Sequence, residues 1–297
     1  MNRDQLGYFL LVYRTGSFSA AAAQVPMSTQ GMGKAIRSLE AELGVPLFDV
    51  DENGTRTPTA YGEAFRSYVE QLEREHSRLL AEFDRIRRSS TQTIHMCSAL
   101  GIAGFVGTEC LRSFSLAHPD IGVVSSEFQD YDCDAALIEG RVDLGFTLAP
   151  FDEALVSIPL FAERFFFWVN TDNPLSKRES LTVQDLEGEN LAIFGSGVKC
   201  HATFTKLLED SGVEPKSIAT SQEVFWHYQE ALQGKGLGMT VEHLTKEAMF
   251  CHSADVVAVP FDGMNWTIGL SYARNHTLAE YEHLFLDHAL AFFKTCP

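Results

Sequence analysis

The run Gly16-Ser17-Phe18-Ser19, then four alanines, Gln24-Val25-Pro26-Met27 and Ser28, leaves the start of this chain few ways to fold. Ser17 or Ser19 can accept a bond from a free backbone N–H and cap a helix. The alanine run gives that helix high propensity and lets a second helix approach closely. Pro26 ends it, and Ser28 is placed to open the next. In that next segment, to about Glu42, the residues Met32, Ile36, Leu39 and Leu43 recur at steps of four, three and four, which predicts one buried face. Gln30, Lys34 and Arg37 follow the same steps on the opposite face. Two helices joined in this way form a helix-turn-helix, and an outward Gln-Lys-Arg stripe suits a major groove. Gln can pair bidentately with adenine, and Arg or Lys with guanine or phosphate. The plainer alternative is a solvated helix face with ordinary charges. Gly31 and Gly33 are costly there, by about 1 kcal/mol each against Ala. They read either as close-approach positions, to DNA or to the first helix, or as tolerated weak spots.

Further on, Leu47-Phe48 leads to Asp51-Glu52-Asn53-Gly54 and then Arg56-Thr57-Pro58-Thr59. Asn-Gly between two short extended runs predicts a hairpin, here a wing beside the helix pair. The DNA-contacting residues expected from this pattern are Ser28, Thr29, Gln30, Lys34, Arg37 and Arg56.

From Ala60 to about Arg88 there is no Pro, and the one Gly is Gly62. Phe65, Leu72, Leu79 and Ile86 recur every seven residues, with Val69, His76 and Phe83 four after the first three. This predicts a long helix with a heptad seam, ringed by charges such as Glu70, Glu73, Arg74, Arg78, Glu82 and Arg85. The functional reading is a linker helix that pairs two copies of the chain. The alternative is an amphipathic helix packed on its own domain.

Charge divides the chain. Residues 1–90 hold 11 Lys+Arg against 12 Asp+Glu, and residues 91–297 hold 12 against 28. The segment expected to meet DNA is therefore near neutral, with Arg3, Lys34, Arg37 and Arg56 as its few phosphate partners. Modest affinity per head and a need for two heads follow. The apolar content of 45% fits a globular protein. No run approaches the ~18 apolar residues of a membrane span, and the start lacks an apolar signal region, so a cytoplasmic location is expected. Six cysteines without a Cys-x-x-Cys suggest neither zinc nor a disulfide framework.

After Ser89-Ser90-Thr91 extended apolar runs alternate with helical ones. Strands are expected at 94–99, 122–128, 143–148, 165–170, 191–194, 218–222, 237–241, 256–261 and 267–273. Helices are expected near 103–118, 132–140, 199–212, 224–233, 242–250 and 278–294. Such alternation predicts an α/β fold with mainly parallel strands.

Several motifs together resemble one family. They are Gly16-Ser17-Phe18, Ala21-Ala22, Ser28, Ile36, Leu39-Glu40, Leu43-Gly44, Leu47-Phe48 and Thr59 to Gly62. To these the chain adds His118-Pro119-Asp120 and Glu139-Gly140-Arg141-Val142-Asp143-Leu144-Gly145-Phe146. The pattern is similar to the LysR-type transcriptional regulators. It departs from them in Thr29-Gln30 where the family usually has Gln-Pro, in Gly33 where Ser is common, and in Val50, Asp51 and Glu52 where the wing often carries Arg.

The resemblance implies a winged helix-turn-helix at 1–59, a dimerisation helix at 60–88 and an effector-binding domain at 92–297. That domain would be two α/β lobes similar to type 2 periplasmic binding proteins, lobe I being 92–163 and 267–297 and lobe II 164–266. The chain would cross between lobes near residue 163 and return near 266. Implied partners are an operator with two half-sites, a small-molecule effector, a second copy (and a tetramer), and RNA polymerase, with no membrane.

Ligands of such folds bind beyond the carboxyl ends of strands. This points to Ser98, Ala99, Leu100 and Gly101, to Asp130 and Tyr131, and to Thr147 and Leu148. In lobe II it points to Phe194, Gly195, Ser196, Gly197 and Val198, to Lys199, Cys200 and His201 on the first turn of the next helix, to Phe225 and Trp226, and to Thr240 and Val241. Ser98 and Ser196 could instead only cap helices, and Phe225 and Trp226 could be core or subunit contacts. Relatives often have Ser or Thr at the position of Asp130. If Asp130 faces the cleft, it disfavours a carboxylate effector and favours a neutral, aromatic or cationic one.

Catalytic motifs are missing. Residue 194 is Phe, which breaks any Gly-x-Ser-x-Gly, and there is no Walker loop. Gly234-Lys235-Gly236-Leu237-Gly238 leads into a strand rather than out of one, so it is a helix end and turn. No cofactor or metal is expected, and no enzymatic activity. Cys200-His201 at a helix start could hold a thiolate. Peroxide-sensing relatives use a cysteine near here, with a resolving cysteine shortly after; in this chain the next is Cys251. Besides the ligand-responsive regulator, two readings stay open: a small-molecule binding protein with a vestigial DNA-binding head, and a cysteine-based redox sensor.

Overall fold

The computed structural model describes residues 1–50, 55–88, 92–102, 104 and 108–295, and the side chains described exclude those of 81, 82, 84–88 and 295. The chain forms two compact units, Met1–Leu80 and Ala81–Pro297. The boundary falls inside one continuous helix.

The first unit opens on α1 (Arg3–Thr15), a helix that the Gly16–Ser28 pattern does not itself mark. Asn2 and Gln5 cap it reciprocally, and Gly16, at φ 62°, ends it. Ser17, rather than Ser19, caps α2 (Phe18–Ala22) by accepting from the Ala20 N–H. Ser28 caps α3 (Thr29–Leu43) by accepting from Gly31, and Gly44 closes it in the left-handed region. Met32, Ile36 and Leu39 are buried with Phe9, Leu10, Val12 and Ala21. Leu43, the last residue of α3, is 36% exposed, against expectation.

Strands β1 (Phe48–Val50) and β2 (Arg56–Pro58) pair antiparallel, with Asp49 opposite Thr57. The expected turn residues Asp51, Glu52, Asn53 and Gly54 lie outside the described residues. The hairpin is pinned at its base, where the Arg56 N–H donates to the Gly16 carbonyl at 2.8 Å. Thr59 then caps α4 (Ala60–Arg88), accepting from Gly62 N–H at 3.0 Å while its own hydroxyl donates to the Pro46 carbonyl.

The expected heptad seam is not one surface. Phe65 and Val69 are buried in the first unit's own core, where Phe65 meets Phe9 edge-on at 4.8 Å between ring centres. Their spacing serves folding of the head and leaves nothing of them to pair with a second copy. Leu72, Leu79 and Phe83 are exposed and His76 is half-buried. The side chains of Glu82, Arg85 and Ile86 lie outside the described residues.

The second unit is built on one eight-stranded sheet. Its strands are β3 (Thr93–Ala99), β4 (Gly122–Phe128), β5 (Leu144–Leu148), β6 (Leu155–Asn170), β7 (Asn190–Ile193), β8 (Ser217–Thr220), β9 (Leu237–Val241) and β10 (Val256–Ala273). The order is β4-β3-β5-β10-β6-β9-β7-β8. β3 is parallel to β4 and β5, and β7 is parallel to β8 and β9. The two parallel sets are joined through β6 and β10, which run antiparallel to each other. β10 is one strand where two were expected, and its register slips between Phe261 and Asn265. β6 begins ten residues earlier than expected. Pro159 hides that extension in the sequence, and the strand tolerates it beside the register shift at Ile268/Gly269.

Helices α5 (Thr108–Ala117), α6 (Asp130–Ile138), α7 (Lys199–Ser211), α8 (Val224–Leu232) and α9 (Glu280–Thr295) accompany the sheet. Residues 103 and 105–107 of the expected first helix lie outside the described residues. In place of the helix expected at 242–250 stand two 3₁₀ segments, Glu242–Lys246 and Ala248–Phe250. Aromatic pairs hold each end of the core, Phe114 against Phe285 and Phe167 against Phe261, both edge-on.

Candidate DNA-contacting helix and effector cavity

On α3 the residues Ser28, Thr29, Gln30, Lys34 and Arg37 are all exposed. No ion pair engages Lys34 or Arg37 among the described residues. Gly33 is buried, and a Cβ there would stand 3.2 Å from both the Phe18 ring and the Arg37 guanidinium. Close approach of α2 therefore accounts for this glycine. Arg56 is half-buried, its guanidinium 3.5 Å over the centre of the Phe18 ring. That stacking fixes where the hairpin's cation lies relative to the helix pair.

In the second unit a cavity of about 510 Å³ opens at the carboxyl ends of strands from both halves of the sheet. Of the positions expected there, Leu100, Gly101, Asp130, Leu148, Phe194, Val198, Cys200, Phe225 and Val241 line it. The others do not. Ser98 and Ala99 are buried inside β3, and the Ser98 hydroxyl donates to the Ala99 carbonyl. Thr147 is tied 2.6 Å from Ser271, which donates on to Ser157. Tyr131 is 49% exposed outside the cavity, and Ser196 is exposed. The His201 ring bonds the Phe194 carbonyl at 2.8 Å. Gly195 and Trp226 lie back from the lining, and Thr240 is fully buried with Val241 on the wall in its place.

Several lining residues escaped the strand-end rule. Trp266 comes from the crossing strand β10, and Leu244, Met249 and Phe250 from the 3₁₀ segments. His243 stacks on Trp266 with centroids 5.3 Å apart, and its Nδ1 lies 2.7 Å from Glu163. A shift from helix to 3₁₀ after β9 leaves little sequence trace, since both are short and mixed in polarity.

Beside the cavity lies a buried ionic cluster. Lys199, 2% exposed, sits at the start of α7. Its Nζ is 2.6 Å from Asp134 Oδ2 and donates to the carbonyls of Leu148 and Pro150 at 2.8 and 3.0 Å. Its backbone N–H donates to Asp130 Oδ2 at 2.8 Å. An acid from α6 thus caps a helix 69 residues away, whose own N-cap residue, Val198, offers no side-chain bond. Burial pushes the carboxyls of Asp130 and Asp134 above the ordinary range, opposed by Lys199. Cys200 lies next along α7, and burial pushes its thiol up to about 12. A reactive thiolate needs the opposite shift.

A cluster of Asp143, His276 and Glu282 also places ligand atoms within 4.8 Å of one another. Its members are engaged already: Asp143 accepts from His95 N–H, and Glu282 from the His276 ring and Ala279 N–H. No helix of the described residues is long and apolar enough to cross a membrane.

Residues 3–63 match the family described as bacterial regulatory helix-turn-helix protein, lysR family, and residues 87–294 match the LysR substrate binding domain. The chain is 23% identical to the uncharacterized HTH-type transcriptional regulator YybE of Bacillus subtilis, over 99% of each protein. It is 27% identical to the regulator BenM of Acinetobacter baylyi, over 80% of each. Among solved structures, full-length BenM superposes with a TM-score of 0.59 at 20% identity, covering 99% of this chain and 97% of that one. Full-length CbnR in complex with its target DNA gives 0.52 at 19% identity, covering 99% and 100%. The two matched regions together span nearly the whole sequence, and this chain belongs to the LysR family of DNA-binding transcriptional regulators.

Proposed function

We propose that this regulator reads its operator through Gln30, Lys34 and Arg37 of α3, and that a small molecule in the cavity lined by Phe194, Phe225 and Trp266 controls it. The observation that carries this reading is the pairing, in one chain, of a capped and exposed α3 with a largely apolar 510 Å³ cavity. A cavity of this size and lining suits a drug-sized ligand. Arg56, held on Phe18, supplies a phosphate contact beside the helix. The few cations available make one head a weak reader, so two copies bind two half-sites, and the exposed Leu72, Leu79 and Phe83 are the surface offered for pairing. Ligand binding acts by shifting the population of effector-domain conformations.

The experiment is a mobility shift on the chain's own upstream intergenic DNA at several salt concentrations. Binding should weaken steeply with salt. Arg37→Ala should lose about 1–3 kcal/mol of operator affinity while its melting temperature stays unchanged. No complex at low salt would favour the second reading, a small-molecule binding protein whose near-neutral head has lost its DNA.

A further inference from the structure

The cavity also carries information about the charge of its ligand. Asp130 lines it and is 1% exposed. One of its oxygens, Oδ2, is spent on the N–H of Lys199. The other, Oδ1, is buried with no hydrogen-bond partner, and so is Oδ1 of Asp134 behind it. A buried acceptor left unmade is costly, more so when charged. The ammonium of Lys199 does not remedy this, since Asp134 and the carbonyls of Leu148 and Pro150 already engage it. Two carboxylates thus share one buried cation.

The start of α7 would ordinarily attract an anion from solution. Here the molecule's own Asp130 is already bonded there. No Lys or Arg lines the cavity among the described residues. Among the described residues the one basic ring on its wall, His243, has Glu163 as its partner. An anionic ligand would therefore meet a carboxylate and find no counter-charge. Phe194, Phe225, Phe250 and Trp266 present ring surfaces, which suit an apolar body and favour a nearby cation.

We propose that the cavity binds a protonated amine carried on a ring-bearing apolar body, with its N–H directed at Asp130 Oδ1. This rests on the reading of the cavity as the effector site and names the class of effector it takes. The cation balances the second carboxylate, and the donor fills the orphaned acceptor. Asp130 thereby has two tasks, one oxygen holding α7 and the other receiving the ligand. Ligand and helix end become linked through a single side chain.

Matched probes test it on the full-length protein: 2-phenylethylamine, 2-phenylethanol and phenylacetate, and the indole set tryptamine, tryptophol and indole-3-acetate. Melting temperature reports binding of both sets, and tryptophan fluorescence that of the phenyl set, because Trp266 lies on the wall. The amines should bind about tenfold tighter than their alcohols, as a charge-assisted bond warrants, and the acids not at all. In Asp130→Asn, which keeps an acceptor for Lys199 N–H, the preference for amine over alcohol should vanish, the amines losing the most affinity. Tighter binding of the acids, or equal binding of all three classes, overturns the amine assignment and leaves the cavity as an effector site. No binding by any of the six overturns both. An amine preference that survives Asp130→Asn overturns the role of Asp130.

Discussion

The two units end their helices differently. In the first, Asn2, Ser17, Ser28 and Thr59 each cap the helix that follows within three residues. In the second, α6, α7 and α8 receive no side-chain cap from their own N-cap residue, and α7 is satisfied from α6 by Asp130. A local cap stabilises a helix whatever the rest of the domain does. A remote cap exists only while the two elements stay together. The head is thus assembled from self-sufficient parts, whereas the start of α7 depends on the conformation of the whole effector domain.

The contrast can be broken most forcefully at Lys199. Lys199→Met leaves Asp134 buried beside Asp130 without its cation, and should cost about 3–5 kcal/mol in a denaturant titration of the purified protein. Adding Asp134→Asn should recover a large part of that loss, because the uncompensated charge is gone. If the double variant is no more stable than the single one, the cluster is packing and not electrostatics.

Gly62 tests the head. A Cβ there would strike the Leu47 carbonyl, so Gly62→Ala forces α4 away from the segment leading into β1. The expected loss is about 1–3 kcal/mol, net of the better helix propensity of Ala, visible as earlier melting and weaker operator binding. Ser28→Ala should cost about 1 kcal/mol, the worth of one cap, and should leave ligand binding untouched. An effect of Ser28→Ala on ligand affinity would mean that the head's caps are not local in their consequences.

The smallest effect is in pH dependence. Asp130 binds its proton more tightly folded than unfolded, since burial raises its pKa. Below the ordinary carboxylate range both states are protonated, and no stability is lost. As pH rises from that range toward the raised value, the unfolded state gives up its proton first and the folded state loses stability. Asp130→Asn removes this loss, so its melting temperature relative to the native protein should climb as pH rises from about 4. A constant difference across that span would place the shift elsewhere.

What sequence could foresee follows the same division. The caps at Ser17 and Ser28, the buried stripe of Met32, Ile36 and Leu39, and the hairpin strands about Asp49 and Thr57 are all set by neighbours along the chain. The heptad of α4 misled at Phe65 and Val69, because periodicity shows that these residues are buried but not against what. In the second unit the strand ends led to Asp130, Phe194 and Phe225, which line the cavity. They missed Trp266 and Phe250, which reach the cavity from a crossing strand and a 3₁₀ turn. Lys199 is legible in the sequence only as a residue on the first turn of a helix near the expected pocket. Its burial depends on Asp134, 65 residues earlier, and no local pattern records that.

The two crossing strands have a consequence for how such regulators diversify. The chain enters the far half of the sheet beyond Arg164 and leaves it at Asn265, and these two residues are paired partners. Entry and exit are thus one strand spacing apart, about 5 Å. Everything between is an insertion with adjacent ends, the arrangement that tolerates excision and exchange best. A recombination event with junctions at those two positions can transplant one wall of the cavity, Phe194 and Phe225 included, and leave Asp130 and the head in place. Two conditions follow: the pairing of Arg164 with Asn265 must stay in register, since a slip of one residue would turn the strand's side chains to the wrong face, and the incoming segment must bring a cation where Lys199 meets Asp130 and Asp134.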